Sequence, residues 1–271
     1  MKPYILCFSL LFILQWGYKS LGQCADKNIA FQGGESIRFE VYYNWGFIWL
    51  NVGEAEFKVD SVEYLGQTAF HINGYGTSYK FYDWFYKVRD YYDAIVNPVN
   101  IHPYKFTRSV YEGKFVAKNI YYFDYQRGKI YYSVTTSDLP LTEDTIALQS
   151  CTFDILSLVY YARNVDYSKY EIDEKIPVSV VLDGQLYNLY IRYLGKEVLK
   201  TKDKRKYNCI KFSPLLIQGG MFEAGENMTV WVSDDQNKIP ILIESKIVVG
   251  TVKAILSDIQ GLRNDITALI D

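Results

Sequence analysis

The sequence predicts a mainly β protein, a large curved antiparallel sheet or half-open β-barrel of about twelve strands with one covering α-helix. Three observations carry this. Runs rich in Tyr, Val, Ile and Phe alternate in polarity and recur at roughly 8–15 residues. Turn pairs such as Asn97-Pro98, Glu112-Gly113, Arg127-Gly128 and Asp183-Gly184 separate them. One segment only, around residue 156, changes to a helical period.

The chain opens on Lys2 and an apolar run from Tyr4 to Trp16, followed by a short polar stretch with Ser20 and Gly22. This order reads as a secretory signal peptide over 1–22, the run being shorter than the ~20 residues a membrane-spanning helix needs. Residues 23–271 then form one domain, within the ~200–250 residues a single β domain can reach. "LGQC" also resembles a lipobox that would place a lipid anchor on Cys24, but Gln23 is bulky where a small residue is expected, so the anchor is disfavoured. The expected location is the periplasm or the outer-membrane periphery. Removing Lys2 and Lys19 with the leader turns 29 basic and 31 acidic residues into 27 and 31. That balance argues against a nucleic-acid partner.

Strands are predicted over 35–45, 47–59, 68–76, 86–96, 104–113, 114–125 and 129–136. Over 152–164, Phe153, Leu156, Val159 and Tyr160 fall on one helical face, with Thr152 as N-cap, and this helix is the candidate cover for the concave face. Beyond it, Asp183-Gly184 marks a hairpin between "KIPVSVVL" and "QLYNLYIRYL", and the basic run 200–206 reads as a solvated hairpin tip. Further strands follow at "YNCIKFSPLL", "MTVWVSDD", "IPILIESKIVVG" and "TVKAILSDI". Export favours disulfides, and Cys151 with Cys209 is the candidate pair.

The stretch 79–95, "YKFYDWFYKVRDYYDAI", holds eight aromatic residues in seventeen positions. Phe81, Trp84 and Phe85 fit one turn pressing a single face inward, and from Lys87 a strand follows with Asp90 and Tyr92 on one face. With 26 Tyr in the chain, packing is the favoured explanation of this richness over a dedicated binding platform.

Chemistry-bearing motifs are lacking. His71 and His102 are isolated and read as structural, no spacing suits a metal, and no cofactor fingerprint occurs. "GGES" and "GYGTSY" do not complete a phosphate loop. Glu54, Glu56 and Asp60 share a strand face, the coincidence expected among 31 acids, so a glycan hydrolase is disfavoured and the protein is expected not to be an enzyme.

The blocks "GESIRFEVYYNWGFIWLNVGEAEF", "VRDYYDAIVNPVNIHPYKFTRSVYEGKF", "FDILSLVYYARN" and "MTVWVSDDQNKIPILIESKIVVGTVKAIL" together resemble the domain of unknown function 3108 family, from about Gly33 to Asp258. The resemblance implies an exported Gram-negative envelope protein, Bacteroidetes-like in its Tyr-rich strands, and implies no activity. Its recurring polar positions are Glu35, Asp90, Arg108, Glu112, Asp154, Arg163, Asp234 and Glu244, expected chiefly as paired networks within the scaffold. Trp84, Tyr92, Asp90, Arg108, Glu112, Asp154 and Arg163 are the candidates for ligand contact. The expected function is binding of a lipid or other amphiphile in a groove of the sheet, without cofactor, the alternative being an envelope protein that contacts another protein.

Overall fold

The computed structural model describes residues 27–270 apart from 46–47, 203, 219–222 and 248–249, so the leader, Gln23 and Cys24 lie outside the described residues. In chain order the first strands are β1 Ser36–Trp45, β2 Ile48–Tyr64, β3 Gln67–Ser78, β4 Val88–Val96, β5 Pro103–Glu112, β6 Phe115–Asp124, β7 Lys129–Thr136, β8 Thr142–Ala147 and β9 Thr152–Phe153. Helix α1 Ile155–Ala162 follows. The rest are β10 Lys175–Leu182, β11 Gln185–Lys200, β12 Lys206–Pro214, β13 Met228–Ser233, β14 Pro240–Lys246, β15 Thr251–Gln260 and β16 Leu269–Ile270.

One curved sheet runs β8-β7-β6-β5-β4-β3-β2-β1-β15-β14-β13-β12-β11-β10-β9, with β16 pairing beside β12. All its ladders are antiparallel except the short β9–β10 pair. The two ends of the path, β8 and β9, are separated by only residues 148–151, so the sheet curls back upon itself without closing a hydrogen-bonded ring. Sixteen strands among the described residues exceed the expected twelve. The additions include β9 and β16, two residues each, and β8, whose polar "TEDTIA" shows no alternation because it is a largely exposed edge. Glu143 and Asp144 on that edge discourage pairing with another chain.

The turns follow local chemistry. Asp183 and Gly184 both take positive φ, 47° and 76°, the type I′ geometry an Asp-Gly hairpin favours. Leu65 and Gly66 do the same between β2 and β3, so β2 continues five residues past its expected end at Val59.

The helix covers the concave face as expected, packing against β3, β4 and β10, but its boundary and buried face differ. Thr152 and Phe153 join β9, and Asp154 is the N-cap, its carboxylate accepting from Ser157 N at 2.8 Å and Ser157 Oγ at 2.5 Å. Asp outranks Thr as a cap because its carboxylate also meets the positive end of the helix. Leu156, Ser157, Tyr160 and Tyr161 face inward, whereas Val159 is 39 % exposed. Leu156 and Tyr160 seal a core with Phe31, Val59, Ile72, Phe106, Tyr121 and Ile130, while Tyr161 and Ala162 join a second core with Ile176, Ile191, Phe212 and Val230. Thus one short helix bridges the two halves of an open sheet.

Cys209 is free and buried, so the expected pair with Cys151 does not form. Cys151 is disulfide-bonded, and its partner lies outside the described residues. Strands β10 and β11 separate β12 from the β9 edge, placing the two thiols at least three strand spacings apart, over about 14 Å and beyond disulfide reach. Burial pushes the Cys209 thiol up to about 12. Native protein is therefore expected to leave Cys209 unlabelled by a thiol reagent near neutral pH, while urea exposes it. Fast stoichiometric labelling of Cys209 in the folded protein would contradict this placement.

Candidate functional site

The antiparallel register puts seven connections at one end of the sheet, including β1–β2, β3–β4, β5–β6 and β10–β11, and the N-terminal segment 28–35 at the other. These ends differ in chemistry. At the second end, the base, Asn164 Oδ1 accepts from Ile29 N and Ala30 N, and Asn237 accepts from Asn264 N. Arg263 donates to the carbonyls of Asn28 and Phe31. Beneath them Arg163, the C-cap of α1, makes a two-pronged ion pair with Glu35 at 2.6 and 2.8 Å, donates from Nε to Asn237 O, and lies over the rings of Phe31 and Tyr160. Each of these groups has a partner in the backbone or in Glu35, and Tyr160 Oη beside them is left without one among the described residues. They make the base a structural plug, so Arg163 and Asp154 are removed from the ligand candidates, the latter being a fully buried helix cap whose carboxyl burial pushes up to about 6.

The opposite end brings together candidates that are distant in sequence. Along β4, Asp90 and Tyr92 share a face with Ala94, which is core, so they point into the concavity. Asp90 stands opposite Val110 and Gly76, Tyr92 opposite Arg108, and Arg108 opposite Asn119. Directly opposed residues of antiparallel strands share a face, so Asp90, Tyr92, Arg108, Glu112 and Asn119 form one inward patch. The tip of the β10–β11 hairpin reaches across to it. Asp183 Oδ1 accepts from Arg108 Nη1 at 3.2 Å and from Asn119 Nδ2 at 2.8 Å, and Gly184 N donates to Tyr121 Oη at 3.0 Å. These contacts bind the C-terminal half of the open sheet to β5 and β6 where no ladder does so.

Asp90 accepts from Tyr111 N at 3.2 Å and hydrogen-bonds side chain to side chain with Glu112. Burial, and then the Glu112 charge, push Asp90 up to about 8, so the two carboxyl groups hold one proton between them near neutrality. Tyr86 closes over the pair. Its ring lies against Gly113, where a Cβ would come within 2.7 Å of it and φ is +61°, so only glycine serves there. Burial, then Glu112 and Asp90, push the Tyr86 phenol up to about 12. Arg108 stacks over Phe115, and its Nε together with Asn119 Oδ1 has no hydrogen-bond partner among the described residues. Beside Asp90, a Cβ at Gly76 would meet nothing within 4 Å, so the concave face is open at that point.

Above this patch the connection from β3 to β4 forms a lip. A 3-10 turn, Lys80–Tyr82, begins it, and its aromatics do not press inward as expected. Trp84 is 81 % exposed, Phe81 76 % and Phe85 50 %. Inward packing fails because Asp83 is drawn to the sheet instead: it pairs with Arg89 at 2.6 Å and accepts from Ser78 Oγ, rotating the aromatics outward. The end of β1 and the start of β2 abut them, the Tyr43 ring of β1 lying against Phe85 and Tyr79 N donating to Val52 O of β2, and β2 adds Ile48, 61 % exposed, and Trp49.

The remaining polar positions are paired and scattered. Asp234 bonds Lys196 and Glu244 bonds Lys253. Glu56 is held by Arg38 and Lys58, and Glu54 by Tyr75. His71 meets Asp93 and His102 stacks on Tyr125. Two hollows, of about 400 and 240 Å3, lie over β6–β8 and over β1–β3 with β15, and none of the expected site residues lines either. Sequence reasoning found Asp90, Tyr92, Arg108, Glu112 and Trp84 but missed Asp183, Asn119 and Tyr121. Asp183 was legible only as a turn, because its partners are 64 and 75 positions away.

A family model described as "Protein of unknown function (DUF3108)" matches residues 38–257. The chain belongs to this family. The β4–β5 hairpin with the acid pair, the lip and the β10–β11 tip all lie within the matched span, so the site is part of the DUF3108 domain itself. Among solved structures, the chain is similar to a β-barrel-like protein of domain of unknown function DUF1849 from Brucella abortus, at 8 % identity and a TM-score of 0.54, covering 83 % of this chain and 96 % of that one. At that identity the likeness shows the fold alone. No curated protein matches.

Proposed function

We propose that this DUF3108 protein is a non-catalytic binding protein of the cell envelope that holds an amphiphile at the lip end of its concave face. The observation that carries this reading is the coincidence, at one end of the sheet, of exposed Phe81, Trp84, Phe85 and Ile48 with the inward polar patch of Asp90, Arg108, Glu112 and Asn119. An amphiphile needs both an apolar contact and a polar anchor. Gly76 leaves open space next to the anchor, and convergent polar groups beside apolar surface are the usual composition of a ligand site.

The side-chain hydrogen bond between Asp90 and Glu112 speaks against a glycan hydrolase in particular. Glycoside hydrolysis sets its two carboxyl groups at least about 5 Å apart, with the sugar between them. Among the described residues no three His, Cys, Asp or Glu are grouped to hold a metal ion. The large interior of the sheet is filled by α1 and its core, which moves the binding reading from a deep groove to the rim.

Native mass spectrometry of the protein purified from its own envelope tests the reading, with organic extraction of whatever is released. A stoichiometric amphiphile is expected, and the Trp84→Ser, Phe81→Ser double variant should retain several-fold less of it. A clean apo mass, with a protein partner retained through the lip instead, would sink it.

A further inference from the structure

We infer that the lip is a docking surface for an anionic lipid bilayer. Docking rests on the amphiphile reading for the source of the ligand, but its evidence is the lip's own charge and shape. Ile48 and Trp49 at the start of β2, and Tyr79, Phe81, Trp84 and Phe85 of the β3–β4 connection, are exposed at one end of the sheet, and clustered exposed apolar side chains mark an interaction surface. Trp and Phe are the side chains that settle at the boundary between headgroup and acyl chain.

The charge pattern selects the partner. Lys80, Lys87 and Lys114 are exposed along or beside the lip and make no ion pair among the described residues. Asp83 is clamped by Arg89 and Glu112 is buried against Asp90, while Glu40 and Glu54 act on Tyr79 at the other end of the lip. A chain with formal net charge −2 therefore carries three lysines along the Phe81–Trp84 part of this apolar edge. Anionic phospholipid complements this arrangement, since lysines at an apolar contact attract the headgroups while the aromatic rings enter the interface. A second copy of the chain is disfavoured by the same lysines, which would face their own kind across a lip-to-lip contact. Among the described residues the lip offers only six exposed apolar side chains, whereas a stable dimer buries about 800 Å2 per partner. Membrane contact requires only that the rings enter, and it brings the polar patch behind Tyr86 close to the bilayer surface.

The test is co-sedimentation of the mature full chain with vesicles of phosphatidylglycerol mixed into phosphatidylcholine, against pure phosphatidylcholine. Quenching of Trp emission by brominated acyl chains is read in parallel. Binding to the anionic vesicles that weakens with salt is expected. Phe81→Ser with Trp84→Ser should lower the partition coefficient at least about tenfold, and Lys80→Glu, Lys87→Glu, Lys114→Glu should abolish the anionic preference. All five side chains are exposed, so circular dichroism and the thermal midpoint should not move. Docking is overturned if the protein ignores both vesicles, if it binds them without sensitivity to the lip variants, or if the lip variants instead dissolve a dimer seen by light scattering. A co-purified amphiphile without vesicle binding would refute docking and leave the proposed function intact, and vesicle binding by a protein that carries no amphiphile would do the reverse.

Discussion

Arg163→Met is expected to destabilise the fold by roughly 3–5 kcal/mol, the cost of leaving one member of a buried ion pair without its partner. Arg163 and Glu35 have side chains only 2 % and 0 % exposed, and the guanidinium joins three segments far apart in sequence: the strand entrance at Glu35, the end of α1, and the β13–β14 connection through Asn237 O. Met approximates the aliphatic length of Arg but returns none of its hydrogen bonds, so Glu35 would be a bare carboxylate among Phe31, Tyr160 and Ala30. Glu35→Leu combined with Arg163→Met should recover most of the loss, because a buried pair often does little better than apolar residues of similar volume. Urea unfolding measures both variants. A single variant within about 1 kcal/mol of wild type would show that the base does not depend on this pair.

The same pair shows where the sequence was legible. Alternation with period two located almost every long strand, since a strand with one buried face must alternate, and Asp183-Gly184 announced its hairpin because few other dipeptides accept two positive φ angles. Edge strands such as β8 escaped notice because neither face is buried, so no alternation is imposed. Arg163 and Asp154 stood out as charges inside an apolar helix; structural pairing holds for Arg163, whereas Asp154 caps its own helix through Ser157 and has no charged partner among the described residues. Their partners were another matter. Glu35 lies 128 positions from Arg163, and nothing local distinguishes it from other acids. The lip was misread for a related reason: Phe81, Trp84 and Phe85 do have helical spacing, but whether such a face turns in or out is decided by Asp83 and Arg89, a contact at tertiary level. The candidate site was legible in half, from the β4–β5 hairpin that carries Asp90, Tyr92, Arg108 and Glu112, and not in the half brought by Asp183 from the other side of the sheet.

Asp90→Asn should remove a pH dependence of stability that the wild-type protein carries between about pH 4 and about pH 8. Asp90 is held protonated in the folded chain, first by burial and then by Glu112, while in the unfolded chain it ionises near 3.8. Within that window the native state binds one proton more than the unfolded state, so stability falls as pH rises, and the contribution is complete below about 4 and gone above about 8. The groups facing the pair are Glu112 itself, Arg108, Asp183 on the hairpin tip, and the phenols of Tyr86, Tyr92 and Tyr121. Of these Arg108 alone is positive, and Asp183 already engages it at 3.2 Å, so a second ionised carboxyl would compete for the one cation that fastens the hairpin. Asparagine can accept from Tyr111 N as Asp90 does and can donate to Glu112 at any pH, so the variant keeps the hydrogen bonds while losing the titration. Asp154, also pushed up, and His102, pushed down by burial, titrate alike in both proteins, so the difference between the two curves isolates the Asp90–Glu112 pair. In urea unfolding from pH 5 to pH 9, wild type should lose at least about 1 kcal/mol and at most about 4 kcal/mol relative to Asp90→Asn, the larger figure corresponding to the part of the carboxyl's displacement that lies between pH 5 and about pH 8. Parallel curves would mean that Asp90 is ionised in the folded protein, and that Arg108 rather than a shared proton neutralises the patch behind the lip.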